Sequence, residues 1–217
     1  MTFTERTGFM AQEEATASPS TLAVTPVAIG DLMMLLIGSA IGAGGTITVS
    51  GGGVTTWNAL PSSETTGGDY YLYAYWGVVT ATGSQTITVT YPNEADDYTV
   101  LIADSWASPG ATGYAVTQSG ETAANSATVL LPSLTSGPNG GLYWSVNGNV
   151  AGTTPSIPGF TVVDGDGGLG LVYDASLAAN TNYAPSFSQT SGEYLSIGAI
   201  FAAVTGTTAS TSFFRFF

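Results

Sequence analysis

No lysine, histidine or cysteine occurs in this chain of 217 residues, and its only arginines are Arg6 and Arg215. Without histidine there is no imidazole to act as a general base or metal ligand near neutral pH. Without cysteine there is no thiol nucleophile, disulfide or thiolate zinc site. Without lysine there is no Schiff base and no ammonium to clamp a phosphate. The residues that build polar helical faces are scarce as well, so helix is not expected. The longest uncharged apolar run, Leu32 to Ile41, is too short to cross a bilayer and ends in Gly42, Gly44 and Gly45. These absences point to a binding or building component, with no catalytic residue, no metal, no cofactor and no membrane insertion.

Fifteen acids against two arginines give a formal net charge of −13. Nucleic-acid binding relies on cations that displace counterions from phosphates, so a nucleic-acid partner is excluded. An anionic membrane surface is disfavoured for the same reason. The polar surface must be made from Thr, Ser, Asn, Gln and Gly, a composition that accompanies extracellular and virion-exterior β proteins. Hydrophobic residues make up 44% of the chain, enough for a packed core. Glu5, Glu13 and Glu14 stand where a secretory signal would carry basic residues. An exterior location would then need another route, such as assembly into a particle released by lysis.

What is abundant is strand and turn chemistry. Twenty-nine glycines and ten prolines punctuate runs rich in Val, Ile, Thr, Tyr and Trp. In Thr86-Ile87-Thr88-Val89-Thr90-Tyr91 the alternation puts Ile87, Val89 and Tyr91 on one face. Short strands separated by Gly, Pro, Asn and Asp turns predict an all-β, antiparallel β-sandwich of jelly-roll-like form. The segments read as an N-terminal strand or arm (1–19), a first β half (20–107), a connecting hairpin or loop (108–125), a second β half (126–204), and a C-terminal spacer with an aromatic tail (205–217).

The two halves echo each other. Ser20 to Pro26 followed by Gly30-Asp31-Leu32 parallels Ser126 to Pro132 followed by Gly140-Gly141-Leu142. Asp97-Tyr98-Thr99-Val100 parallels Glu193-Tyr194-Leu195-Ser196. A duplicated unit predicts that Leu32 matches Leu142 and Tyr98 matches Tyr194. The alternative is that any sandwich built of hairpins repeats such patterns.

Four features bear on recognition or chemistry. In Tyr70 to Trp76 the period of two places Tyr71, Tyr73 and Tyr75 on one face. That face is read either as a stacking surface for a glycan or partner, or as one side of a strand buried on both faces. Asp164-Gly165-Asp166-Gly167-Gly168 resembles the opening of a calcium loop, but its twelfth position is Ala175, so a tight turn explains it better. Paired carboxylates can run glycoside hydrolysis without histidine. Glu64, Glu94, Asp104 and Glu121 are read as loop acids whose separations nothing fixes. Finally, a Ser/Thr-rich spacer precedes Phe213, Phe214, Arg215, Phe216 and Phe217. Phenylalanines are costly to leave in water, so this peptide is expected to be buried in a groove of this protein or of a neighbour.

The succession Gly30-Asp31-Leu32, Gly51-Gly52-Gly53-Val54-Thr55-Thr56-Trp57, Tyr75 to Ser84 and Thr86-Ile87-Thr88-Val89-Thr90 resembles β-sandwich structural proteins of tailed bacteriophages. The resemblance extends along nearly the whole chain and is pattern-like, with no catalytic motif to carry over. It implies a non-enzymatic component of the virion exterior, either a minor tail protein or a capsid decoration protein. Its partners would be other virion proteins and further copies of itself in a homo-oligomer. The competing class is a carbohydrate-binding adhesin touching a host glycan through Tyr71, Tyr73 and Tyr75.

Overall fold

The computed structural model describes residues 1–6, 11–15, 18–39, 46–61, 63–64, 70–91, 99–149, 154–164 and 169–205. Among them there is no helix, and every strand pairing is antiparallel. The first ten strands are β1 (Thr4–Glu5), β2 (Ala11–Ala15), β3 (Ser20–Val24), β4 (Leu32–Ser39), β5 (Thr48–Gly51), β6 (Asn58–Ala59), β7 (Ser63–Glu64), β8 (Tyr71–Val78), β9 (Gln85–Thr90) and β10 (Thr99–Ala107). A turn at Pro109 and Gly110 leads to the rest. These are β11 (Ala111–Leu130), β12 (Leu134–Thr135), β13 (Gly141–Asn149), β14 (Thr161–Asp164), β15 (Leu169–Leu177), β16 (Asn182–Tyr183) and β17 (Ser186–Thr205).

The strands form stacked layers. A three-stranded sheet, β3-β9-β5, covers one face of the sheet β1-β10-β4-β8-β6, to which β2 and β7 add. Leu22, Val24, Ile87 and Val89 meet Met33, Leu35, Ile37 and Leu101 there. The opposite face carries Leu32, Met34, Leu36, Ile102 and Trp106, which pack on Leu142, Trp144, Val146, Ile197 and Phe201 of the sheet β11-β17-β13-β15-β14. The outer face of that second sheet is closed by Val129, Leu131 and Phe187 at one end and by Leu134 and Tyr183 at the other. The central strands β4 and β10 are therefore covered on both faces. This is why β4 reads Leu-Met-Met-Leu-Leu-Ile without alternation and is buried along its whole length. Each such side chain contributes about 1.5–3 kcal/mol of hydrophobic stabilisation.

One strand plan serves both halves. The order β10-β4-β8-β6 in one inner sheet has its counterpart in β17-β13-β15-β14 in the other. Aligning Leu32 with Leu142 brings Gly30 onto Gly140, and both have positive φ, 92° and 70°. The ladders carry the match sideways: Leu32 pairs with Trp106 and Leu142 with Phe201, while Met34 pairs with Trp76 and Trp144 with Tyr173. Contacts across the joint then come as exchanged pairs. Trp106 packs edge-on to Tyr173 at 4.6 Å, and Phe201, in Trp106's place, packs edge-on to Trp76, in Tyr173's place, at 5.7 Å. Phe3 and Tyr114 hold equivalent places in the two arms and pack on each other, their centroids 5.8 Å apart. Self-complementary contact of this kind is how two-fold dimers are built.

The boundaries differ from the sequence reading. Residues 111–125, expected within a connecting hairpin or loop, begin the 20-residue strand β11. They run antiparallel to β17 as β1 and β2 run along β10, so β1 and β2 play the role that residues 111–125 play in the second half. β11 and β17 are each one continuous strand of 20 residues, with register shifts along their shared ladder. The sequence echo is also one residue out of step at two places. Leu22 and Val24 correspond in burial to Val129 and Leu131, whereas Leu130 is exposed. On β17 the ladder matches Tyr194 to Thr99, putting Leu195 with Val100 on the joint face; Tyr98 itself lies outside the described residues. A one-residue slip exchanges the two faces of a strand, so inward residues fix the correct match.

Candidate functional site

The most unusual polar group sits in the joint. Asp104, read from the sequence as a loop acid, lies inside β10 and is 2% exposed. Between Ile102 and Trp106 the period of two turns its side chain toward the second sheet. Its Oδ2 accepts the indole N–H of Trp106 at 2.9 Å and that of Trp144, from β13, at 3.1 Å. Its Oδ1 has no hydrogen-bond partner among the described residues. Burial pushes its pKa up to about 7; the two indoles oppose that shift, and the charge of Glu5 adds to it.

Beside this group two further acids, Glu5 and Asp31, are bound as well. Glu5 Oε2 accepts the Tyr173 hydroxyl at 2.9 Å. Burial, then this bond, holds the Tyr173 pKa up at about 12. Asp31 is 4% exposed and takes Arg6 in a two-pronged pair, Nε to Oδ2 at 2.7 Å and Nη2 to Oδ1 at 2.6 Å. The hydrogen bond to Asp31 raises the Arg6 pKa further. Arg6 is thereby committed, and the N-terminal amine donates to the Asn139 carbonyl.

The tyrosine face is placed as the period predicts and turned inward. Tyr73 and Tyr75 pack against the core beneath β3-β9-β5, and Tyr71 is 7% exposed. Tyr71 stacks on Tyr73 with centroids 6.1 Å apart, and the Tyr75 hydroxyl donates to the Ile47 carbonyl at 3.3 Å. Burial raises the Tyr75 pKa. On the other face of β8, Leu72, Ala74 and Trp76 line the joint.

The other sequence candidates are not brought together. Glu121 is an exposed residue of β11, and Glu64 lies in β7. Glu94, residues 165–168 of the calcium-like loop, and Phe213, Phe214, Arg215, Phe216 and Phe217 fall outside the described residues. The clamp on Asp104 was not foreseen. Its signal in the sequence was an acid two residues before a tryptophan within an apolar strand, Leu101-Ile102-Ala103-Asp104-Ser105-Trp106. The arrangement can hold or release one proton in the joint. Asp104 has no nucleophile or second carboxylate bonded to it among the described residues. Comparison with protein-family models, with curated proteins and with solved structures finds no match to this chain.

Proposed function

We propose that the chain is a non-enzymatic structural component of a tailed-phage virion, a minor tail or capsid decoration protein on the particle's exterior. The observation that carries this reading is how the groups capable of chemistry are used. Asp104, Glu5 and Tyr173 are bound across the joint that holds the two halves together, and Asp31 is taken up by Arg6. Side chains spent in this way serve rigidity, which an assembly component needs.

The partners are other virion proteins and further copies of the chain. Phe213, Phe214, Phe216 and Phe217 are the proposed anchor, with Arg215 meeting an acidic rim. The segment that bears them follows Thr205, which pairs with Ala111 beside the turn between the halves. Burying each phenylalanine is worth about 1.5–3 kcal/mol before ordering costs. Deleting residues 212–217 should leave the sandwich folded and abolish incorporation into particles, measured by mass spectrometry of purified virions. Normal incorporation of the truncated chain would place the anchor elsewhere. The adhesin alternative draws little support from Tyr71, Tyr73 and Tyr75, whose face packs against the core; glycan-array binding lost on Tyr73→Ala would restore it.

A further inference from the structure

We propose that Asp104 makes the joint between the two halves pH-sensitive, tightest when its carboxyl is protonated and weakened when it ionises. The geometry is that of a charge with nowhere to go. Both sheets seal the group from water, and only one oxygen is hydrogen-bonded. The composition makes the problem general, because the chain has two arginines and no lysine or histidine. Arg6 is held by Asp31, and Arg215 lies outside the described residues. Glu5 from β1 and Tyr173 from β15 are the titratable groups beside Asp104, and both belong to one hydrogen bond that supplies no positive charge. Opposite it β4 sets Met34 and β13 sets Trp144, neither of which titrates. A carboxylate here stays unpaired, whereas a carboxylic acid still accepts both indoles through one oxygen and leaves only a neutral hydroxyl unmatched.

The folded-state pKa of about 7 lies above the ordinary value of 3.8, so the unfolded chain gives up this proton first as pH rises. Stability contributed by the neutral acid is complete below about pH 4 and is lost as pH rises toward 7, with no further loss above. The folding constant falls by up to about tenfold per pH unit within that window.

The test compares the full chain with Asp104→Asn, whose amide oxygen accepts the same indoles and does not ionise. Urea unfolding between about pH 5 and about pH 7 should lower the wild-type folding constant up to about one hundredfold relative to the variant. Other acids contribute to both proteins, so the difference isolates Asp104. Over the same range, amide exchange in β10 and β13 should quicken in the wild type while β3 and β9 hold. Parallel pH profiles for the two proteins, or uniform exchange, would overturn the proposal. If the variant fails to fold, the wild-type Asp104 carboxyl carbon followed by NMR decides: titration near 7 supports the joint, and titration near 4 sinks it.

Discussion

In the first half Glu5, Asp31 and Asp104 occupy places that Val116, Gly141 and Ala199 occupy in the second. Arg6 answers to the bulge at Thr117 and Gln118. The two halves share strand order, turn glycines and exchanged aromatic pairs, yet one side of the joint is charged and the other is not. The second half shows that apolar packing alone can build this surface. The charged set in the first half is then an addition, and its most buried member works against stability whenever it is ionised.

The largest expected effect comes from separating the halves. Expressed alone, residues 1–109 would expose Leu32, Met34, Leu36 and Trp106 to water and should aggregate; co-expressed with 110–217, they should recover a soluble complex. A soluble, cooperatively folding first half would show that the joint is dispensable.

The exchanged aromatics come next. Trp106→Ala removes a fully buried indole and one donor to Asp104, and should cost about 4–5 kcal/mol. Phe201→Ala, the equivalent truncation without the hydrogen bond, should cost about 3–4 kcal/mol in the same urea titration. Equal losses would mean that the indole bond to Asp104 adds nothing.

The turn glycines sharpen the comparison further. A methyl on Gly140 would stand 2.0 Å from the Leu177 carbonyl oxygen, whereas one on Gly30 meets nothing within 4 Å. Gly30→Ala should therefore cost only the strain of positive φ, about 1 kcal/mol, and Gly140→Ala about 3 kcal/mol or more. Calorimetric melting of the two variants checks the order. The smallest effect is expected at Tyr75→Phe, which loses one long hydrogen bond to Ile47 and about 0.5–1 kcal/mol. Its melting point should fall slightly with glycan binding, if any, unchanged.

Strands were legible wherever one face meets solvent, as in β9, because alternation then marks the inside. The continuous apolar run of β4 signalled burial without saying what covers it; the answer needed both neighbouring sheets. Leu32 and Leu142 were matched from Gly30 and Gly140, since the turn demands glycine in each half. The match at Leu130 failed by one residue beyond the register shift between Ser126 and Thr128, where β17 carries the extra residues. Tyr194 failed although the ladder of β17 with β13 is regular, because the likeness of Asp97-Tyr98 to Glu193-Tyr194 is local and does not fix which face each residue takes. Asp104 was read as a loop acid, although it stands inside the apolar run Leu101-Ile102-Ala103-Asp104-Ser105-Trp106. Its second indole donor comes from Trp144, forty residues away, a pairing that only the docking of the two halves creates.

The 20-residue strand β17 has a consequence for mechanics. It is flanked by β11 and β13, and antiparallel hydrogen bonds lie perpendicular to the strand axis. A pull applied at Thr205 along that axis loads both ladders in shear, so their bonds share the force and resist together. Pulled from that end in single-molecule force spectroscopy, the second half should yield in one high-force event, and a staircase of small ruptures would show that the load travels another way.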